Sequence, residues 1–302
     1  MLKQLKADLA LLGVTIGWGA SFILTKNSLD TLATYNFLAI RFIIAFAISA
    51  LIFSKSIVKV DRNTLKYGFL IGIILFTAYA FQTVGLNYTT ASKSAFITGF
   101  SVVLVPIIST LFLKKIPEKA SIIGAIMAII GLGLLTLNGN LGLNIGDLLT
   151  FFSTFAFAMH IITVGKYTAI VDSICLAIVQ IGTVGLLSLI TSLAIENPVI
   201  PKGNDVWVNL FILSLVCTSG AFIVQNAAQK YTSPTHTALI YTGEPVFAAV
   251  FAYFISGEIL NLRGLFGGAL ILTAMLIAEI DFKIFLNMIR KKIGNKNPQR
   301  PL

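Results

Sequence analysis

Charge is what this sequence has least of. Only 11% of its 302 residues are Asp, Glu, Lys or Arg and 57% are hydrophobic, where an average soluble chain is about 25% charged. So few charges cannot cover the surface of a soluble globule of this size, and so much apolar character excludes disorder. Cysteine is scarce too. Cys175 and Cys217 each lie in an apolar run, so they provide neither a disulfide framework nor metal-ligand spacing. His160 and His236 are the only histidines, which excludes a His-rich metal site. No metal or other cofactor is expected. The chain has no phosphate-cradling Gly-x-x-x-x-Gly-Lys-Ser/Thr loop, so it does not drive anything directly with ATP. It has no acids and bases arranged for hydrolysis, and no enzyme activity is expected. The net charge of +10 would suggest nucleic acid in a soluble protein. No basic groove with interleaved aromatics is present, however, and cytoplasmic loops of membrane proteins collect Lys and Arg.

What is present is length of apolar run. A helix needs about 20 apolar residues to cross some 30 Å of hydrocarbon. Ten such runs are read at 7–25, 34–53, 66–86, 92–113, 119–137, 146–165, 173–194, 205–225, 234–255 and 262–280. They are continuous rather than alternating, which argues against a strand barrel. The fold class expected is all-α and polytopic, with lipid as its surroundings. Lys3 and Lys6 precede a first run too long for a cleaved leader, so that run reads as a retained span. The basic stretch 283–302 reads as a cytoplasmic tail with an interfacial helix.

Placing both termini in the cytoplasm leaves Lys26, Arg41, Lys93, Lys202 and Arg263 outside or within the membrane. The rest of the 22 Lys and Arg fall on the cytoplasmic side. An odd number of spans spoils that bias.

The chain also resembles itself. A shift of 143 residues pairs Gln82 with Gln225, Tyr88 with Tyr231, Thr89 with Thr232, Ser94 with Thr237 and Ala95 with Ala238. A shift of 139 pairs Asp8 with Asp147, Leu9 with Leu148, Arg41 with Gln180 and Pro106 with Pro245. The division falls near Asn138-Gly139-Asn140. It gives a first five-helix repeat over 1–140 and a second over 141–282. Five spans return the chain to the opposite face, so the second repeat is inverted. Inverted repeats are a common build of secondary transporters, where exchange of two near-equivalent halves opens a midplane site to each side in turn.

Several segments resemble the drug/metabolite transporter superfamily, specifically its EamA-type ten-helix members. They are Gly17-Trp18-Gly19-Ala20-Ser21-Phe22, the stretch from Gln82 through Gly85-Leu86-Asn87-Tyr88-Thr89-Thr90-Ala91-Ser92-Lys93-Ser94-Ala95-Phe96 to Val105-Pro106, and Glu244-Pro245-Val246-Phe247-Ala248-Ala249 with Gly257-Glu258. The first-half counterpart of that last turn departs from the pattern, as Lys114-Lys115-Ile116-Pro117-Glu118. The resemblance implies a basket of two inverted repeats around a central cavity, with the fifth and tenth helices to one side. It implies carriage of amino acids, other metabolites or toxic compounds. The reading is a secondary transporter, most simply an exporter of small metabolites, with proton coupling resting on Glu244. Multidrug export and uptake are its rivals within that class; a channel or a lipid-modifying protein is the rival outside it.

Candidate substrate-binding residues follow from cost. Glu244 lies near the middle of the ninth run, where a carboxylate costs several kcal/mol unless wet, paired or protonated. It is either a ligand or proton carrier, or a neutral group hydrogen-bonded in the bundle. Arg41 either meets a substrate carboxylate, snorkels to headgroups or pairs with an acid such as Asp30. His160 lines the cavity or packs; His236 and Lys93 are interfacial. Tyr79, Gln82, Gln225, Asn226 and Tyr241 turn inward to find partners. Trp18 and Ser21 share a helix face, and Trp18 is a candidate cavity wall. Pro106 and Pro245 kink their helices and are candidate hinges. Small residues at Gly124, Ala128, Gly131, Gly264 and Gly268 serve close packing, within one chain or across a homodimer.

Overall fold

The computed structural model describes residues 2–112, 119–136 and 144–279. The turn at 113–118, the dividing stretch at 138–140 and the basic tail lie outside these. Among the described residues every regular element is a helix. In chain order they are α1 Leu2–Leu29, α2 Thr34–Ile52, the short α3 Ser54–Ile57, α4 Arg62–Leu86, α5 Ala91–Phe112, α6 Lys119–Thr136, α7 Ile145–Tyr167 and α8 Ser173–Ile195. Then come α9 Asn204–Ser214, a π-helical turn Leu215–Gly220, α10 Ala221–Gln229, α11 Pro234–Tyr241, α12 Glu244–Ser256 and α13 Leu262–Glu279.

Among the described residues, eight stretches are long and apolar enough to cross a membrane. Two shorter apolar helices, Ile122–Leu135 and Leu262–Ile277, stand where the fifth and tenth runs are read. The surface agrees. Phe254 is 78% exposed and Leu51 77%, as suits side chains solvated by lipid rather than water.

Polar groups are spent on helix ends. Asp61 caps α4 by accepting from Thr64 N and the Thr64 hydroxyl, Asn144 caps α7 through Gly146 N, and Asp172 caps α8 through Cys175 N. Ser233 caps α11, with Pro234 entering its first turn. At two helix starts a distant acid takes the N–H groups, and at α2 it does so where the chain offers no local cap. Ala33 precedes α2, and Glu196 accepts from Tyr35 N at 2.9 Å and Asn36 N at 2.8 Å. Glu258 accepts from Ser92 N at the start of α5.

The helices pair closely: α6 with α13, α2 with α8, α4 with α7 and α8, α5 with α7, and α1 with α12. The small residues of α6 and α13 face one another. A Cβ on Gly131 would sit 2.8 Å from Gly267 O, and one on Gly267 would sit 2.7 Å from Gly131 O.

Two spans depart from simple rods. The eighth holds the π turn between α9 and α10. Its Cys217 O accepts from the Trp18 indole at 3.0 Å, and Thr218 and Ser219 there bond Arg41 and Ser49 of α2. The ninth breaks at Thr242–Gly243, just before Glu244 and Pro245. The equivalent proline, Pro106, lies inside an unbroken α5. Both prolines lack an N–H. The later one stands in the first turn of α12, where its missing N–H breaks no bond within the helix.

Candidate functional site

A cleft opens where α1, α4, α5, α7, α10, α11 and α12 meet. Its cavity volume is about 40 Å³. A water needs roughly 10–15 Å³ by that measure. The cleft therefore takes a few waters as it stands, and a larger guest must part the walls.

The walls are aromatic. Trp18 meets Phe222 at 5.5 Å between ring centroids and Tyr241 edge-on at 5.1 Å. Tyr79 meets Phe157 at 5.5 Å and Phe222 at 6.3 Å, and His160 meets Phe222 edge-on at 5.7 Å. Such edge-to-face clusters fix ring orientation.

Most polar lining groups already have partners. Gln82 Nε2 donates to Thr98 Oγ1 at 2.9 Å. His160 Nε2 and Gln180 Oε1 are 2.8 Å apart. Gln225 Nε2 donates to Gln229 Oε1 at 3.0 Å, and Gln229 in turn donates to Ile161 O. Ser21 Oγ donates to Trp18 O. Gln225 Oε1 and the Tyr241 hydroxyl are buried without partners, and no hydrogen bond reaches the Glu244 carboxylate among the described residues. Asp61, Asp172, Glu196 and Glu258 cap helices and Asp8 pairs with His236; Glu244 lines the cleft instead. Gln225 Oε1, Glu244 and the Tyr241 hydroxyl are two acceptors and one hydroxyl, which suits a guest rich in N–H donors.

Of the residues expected from sequence, Trp18, Ser21, Tyr79, Gln82, His160, Gln225, Tyr241 and Glu244 line the cleft. Arg41 and Asn226 do not. Asn226 Nδ2 donates to Phe222 O within its own helix. Arg41 is 1% exposed, so it neither snorkels nor pairs with Asp30. Its Nε donates to Thr218 Oγ1 at 2.8 Å, its guanidinium lies 5.2 Å from the Tyr79 ring centre, and Nη2 has no partner. Pro245 packs against Gly99 at the cleft's edge, and Pro106 is not part of the lining.

Sequence reasoning missed Phe22, Thr98, Ser101, Phe157, Ile161 and Phe222, which also line the cleft. The self-match carried the signal. A shift of 139 pairs Trp18 with Phe157, Ser21 with His160 and Phe22 with Ile161. A shift of 143 pairs Tyr79 with Phe222, Gln82 with Gln225 and Thr98 with Tyr241.

A polytopic helical bundle closed around an aromatic cleft, with an unspent carboxylate inside, has the build of a membrane transporter. The EamA-like transporter family matches residues 5–137 and again 144–279, and the chain belongs to that family. A protein of Archaeoglobus fulgidus, named an uncharacterized transporter, is 36% identical over 282 residues, 92% of this chain and 87% of its own. The uncharacterized transporter YyaM of Bacillus subtilis is 26% identical over 302 residues, 92% of this chain and 95% of its own. A solved chain titled "Crystal structure of protein" shares the fold, with a TM-score of 0.70 at 16% identity over 94% of this chain and 98% of its own.

Proposed function

We propose that this transporter is a secondary carrier that exports small amine-bearing metabolites, amino acids foremost, across the cytoplasmic membrane. The observation that carries the reading is the unspent polar set of Glu244, Gln225 Oε1 and the Tyr241 hydroxyl within aromatic walls. An ammonium satisfies those acceptors, and its charge is further favoured by the faces of Trp18 and Tyr79. Glu244 is the proton carrier: it releases its proton as the ammonium arrives and regains it on departure. The two halves, 1–140 and 141–282, act as inverted repeats, and both termini lie in the cytoplasm. The distribution of Lys and Arg supports that orientation. One copy suffices, since the glycines of α6 and α13 are occupied by each other.

The aromatic walls also favour a second reading, export of lipophilic cations, in which no carboxylate on the guest is needed. Proteoliposome counterflow with a panel of amino acids, their amides and aromatic amines separates the two. Saturable exchange of amino acids supports the first. Exchange of amines alone supports the second. Conductance without saturation, or no exchange of any amine, overturns both.

A further inference from the structure

Two repeat-equivalent Asp–Thr pairs sit at opposite ends of the bundle, and they are in different states. The shift of 139 relates Asp8 to Asp147, and the shift of 143 relates Thr232 to Thr89. Asp147, in the first turn of α7, accepts a hydrogen bond from the Thr89 hydroxyl, and both residues are buried. At the other pair the bond is not made. Thr232 Oγ1 has no partner, and Asp8 Oδ1 lies 3.2 Å from His236 Nε2 instead. The ends are far apart. Lys26 Nζ donates to Leu86 O at 2.6 Å and Thr89 O at 2.9 Å, so the C-terminal part of α1 reaches the Asp147 end. Asp8 lies eighteen residues back along the same helix, about 27 Å at 1.5 Å per residue. Trp18 and Ser21, between them on α1, line the cleft.

The backbone contacts behind the two pairs differ in the same sense. At the Asp147 end, a Cβ on Gly146 would lie 2.5 Å from Gly85 O and 2.9 Å from Thr89 N. Those helices meet as closely as they do only because both positions are glycine. The equivalents at the Asp8 end are Ala7 and Ala228. Their methyl groups forbid so close an approach. The lysine strap is one-sided as well, since the equivalent of Lys26 is Gly165.

We propose that Asp147–Thr89 and Asp8–Thr232 are the two end latches of the carrier, made one at a time. This structure is the state with the Asp147 latch made and the Asp8 latch released. In the opposite state the Thr89 bond breaks and Asp8 exchanges His236 for the Thr232 hydroxyl. The Gly146–Gly85 contact and the Lys26 strap bias the resting carrier toward closure at the Asp147 end. The inference rests on the proposed reading of the two halves as inverted repeats, whose exchange opens the cleft to each side in turn, but its test needs no knowledge of the cargo.

The test reads which face admits reagent to the cleft. Cys175 and Cys217 are replaced by Ala, and Ser101→Cys is introduced in the cleft wall. A membrane-impermeant methanethiosulfonate reagent is applied to sealed vesicles of each orientation. Asp147→Asn or Thr89→Val raises labelling from the Asp147 face severalfold and lowers it from the Asp8 face. Thr232→Val changes the two rates in the opposite sense, and Thr89→Ser leaves them unchanged. Ala7→Gly combined with Ala228→Gly shifts labelling the same way as Asp147→Asn. If Asp147→Asn does not fold, Thr89→Val carries the test with Gly146→Ala, whose added methyl holds the same junction open. Equal labelling before and after Thr89→Val, or a rise from both faces, overturns the proposal even where counterflow succeeds. Reciprocal labelling shifts sustain it even where none of the amines tested is carried.

Discussion

At the cleft, positions paired by the self-match carry different chemistry in the two halves of the chain. The first half brings hydroxyls, Ser21, Thr98 and Ser101. The second brings titratable groups, His160 and Tyr241 at the places matched to Ser21 and Thr98, and Glu244 just before the proline matched to Pro106. The aromatic wall is shared more evenly, Trp18 against Phe157 and Tyr79 against Phe222. The lesson is one of division of labour. Matching backbone positions let both halves surround one space, while unlike side chains give that space a direction. A guest with one cationic end has its charge drawn to the second half, whichever face it enters from.

The sharpest break in that comparison is Glu244→Gln against Ser101→Ala. Removing the carboxylate removes a charge-assisted hydrogen bond of about 1.5–3 kcal/mol, which is roughly 10–100-fold in exchange rate. The serine change lowers exchange by only about 2–12-fold, since one neutral hydrogen bond nets about 0.5–1.5 kcal/mol. Counterflow of the best amine at equal protein level measures both. Equal effects from the two variants sink the directional reading.

The second contrast is Arg41 against its counterpart Gln180. Both are buried with one hydrogen bond, donated by Arg41 Nε to Thr218 and accepted by Gln180 Oε1 from His160, and both keep an unpartnered nitrogen, but only Arg41 is a cation. Thr218→Val strips the guanidinium of its one hydrogen bond and costs about 1.5–3 kcal/mol. Arg41→Met removes the charge along with the need to pair it, and costs less than the threonine change. Thermal unfolding in detergent ranks them, and the reverse order breaks the argument that Arg41 is under-paired.

Much of this architecture was legible in the sequence, for a simple reason. Spans are set by hydrocarbon thickness, so run length locates them, and all ten readings fall on helices of the structure. Glu244 and Gln82 stood out because a polar group in an apolar run is costly and rare. Phe157 and Phe222 did not, because one aromatic side chain in an apolar run reads the same whether it faces lipid or the cleft. The π turn at Leu215–Gly220 has no compositional mark; its extra residue per turn is held by tertiary partners, Trp18 and Arg41. Arg41 was read as meeting a substrate carboxylate, snorkelling to headgroups or pairing with an acid. Run position alone does not reveal that aromatic faces and a threonine enclose it.

Packing offers a third contrast, between glycines that touch a neighbour and those that do not. Gly267→Ala drives a methyl into Gly131 O, as α6 and α13 meet there. Overpacking of that kind costs about 1–3 kcal/mol. Gly13 on α1 has open space where its Cβ would be, so Gly13→Ala is neutral or slightly stabilising through its better helix propensity. Equal melting temperatures for the two variants contradict the close approach.

The smallest effect lies at the helix caps, Asp61 in the first half against Asp172 in the second. Each accepts the N–H three residues on, but Asp61 also accepts the Thr64 hydroxyl. The Thr64 hydroxyl, then the Thr64 N–H, hold the Asp61 carboxyl below its ordinary range. A group whose folded pKa is depressed contributes stability above its unfolded pKa and loses that contribution as pH falls through the folded one. Asp61→Ala therefore lowers the melting temperature slightly at neutral pH, and the difference from the parent closes as the medium is acidified below the ordinary carboxylate range. Thr64→Ala narrows the same difference by removing the hydroxyl that sets Asp61 apart from Asp172. A gap between Asp61→Ala and parent that widens on acidification contradicts the capping account.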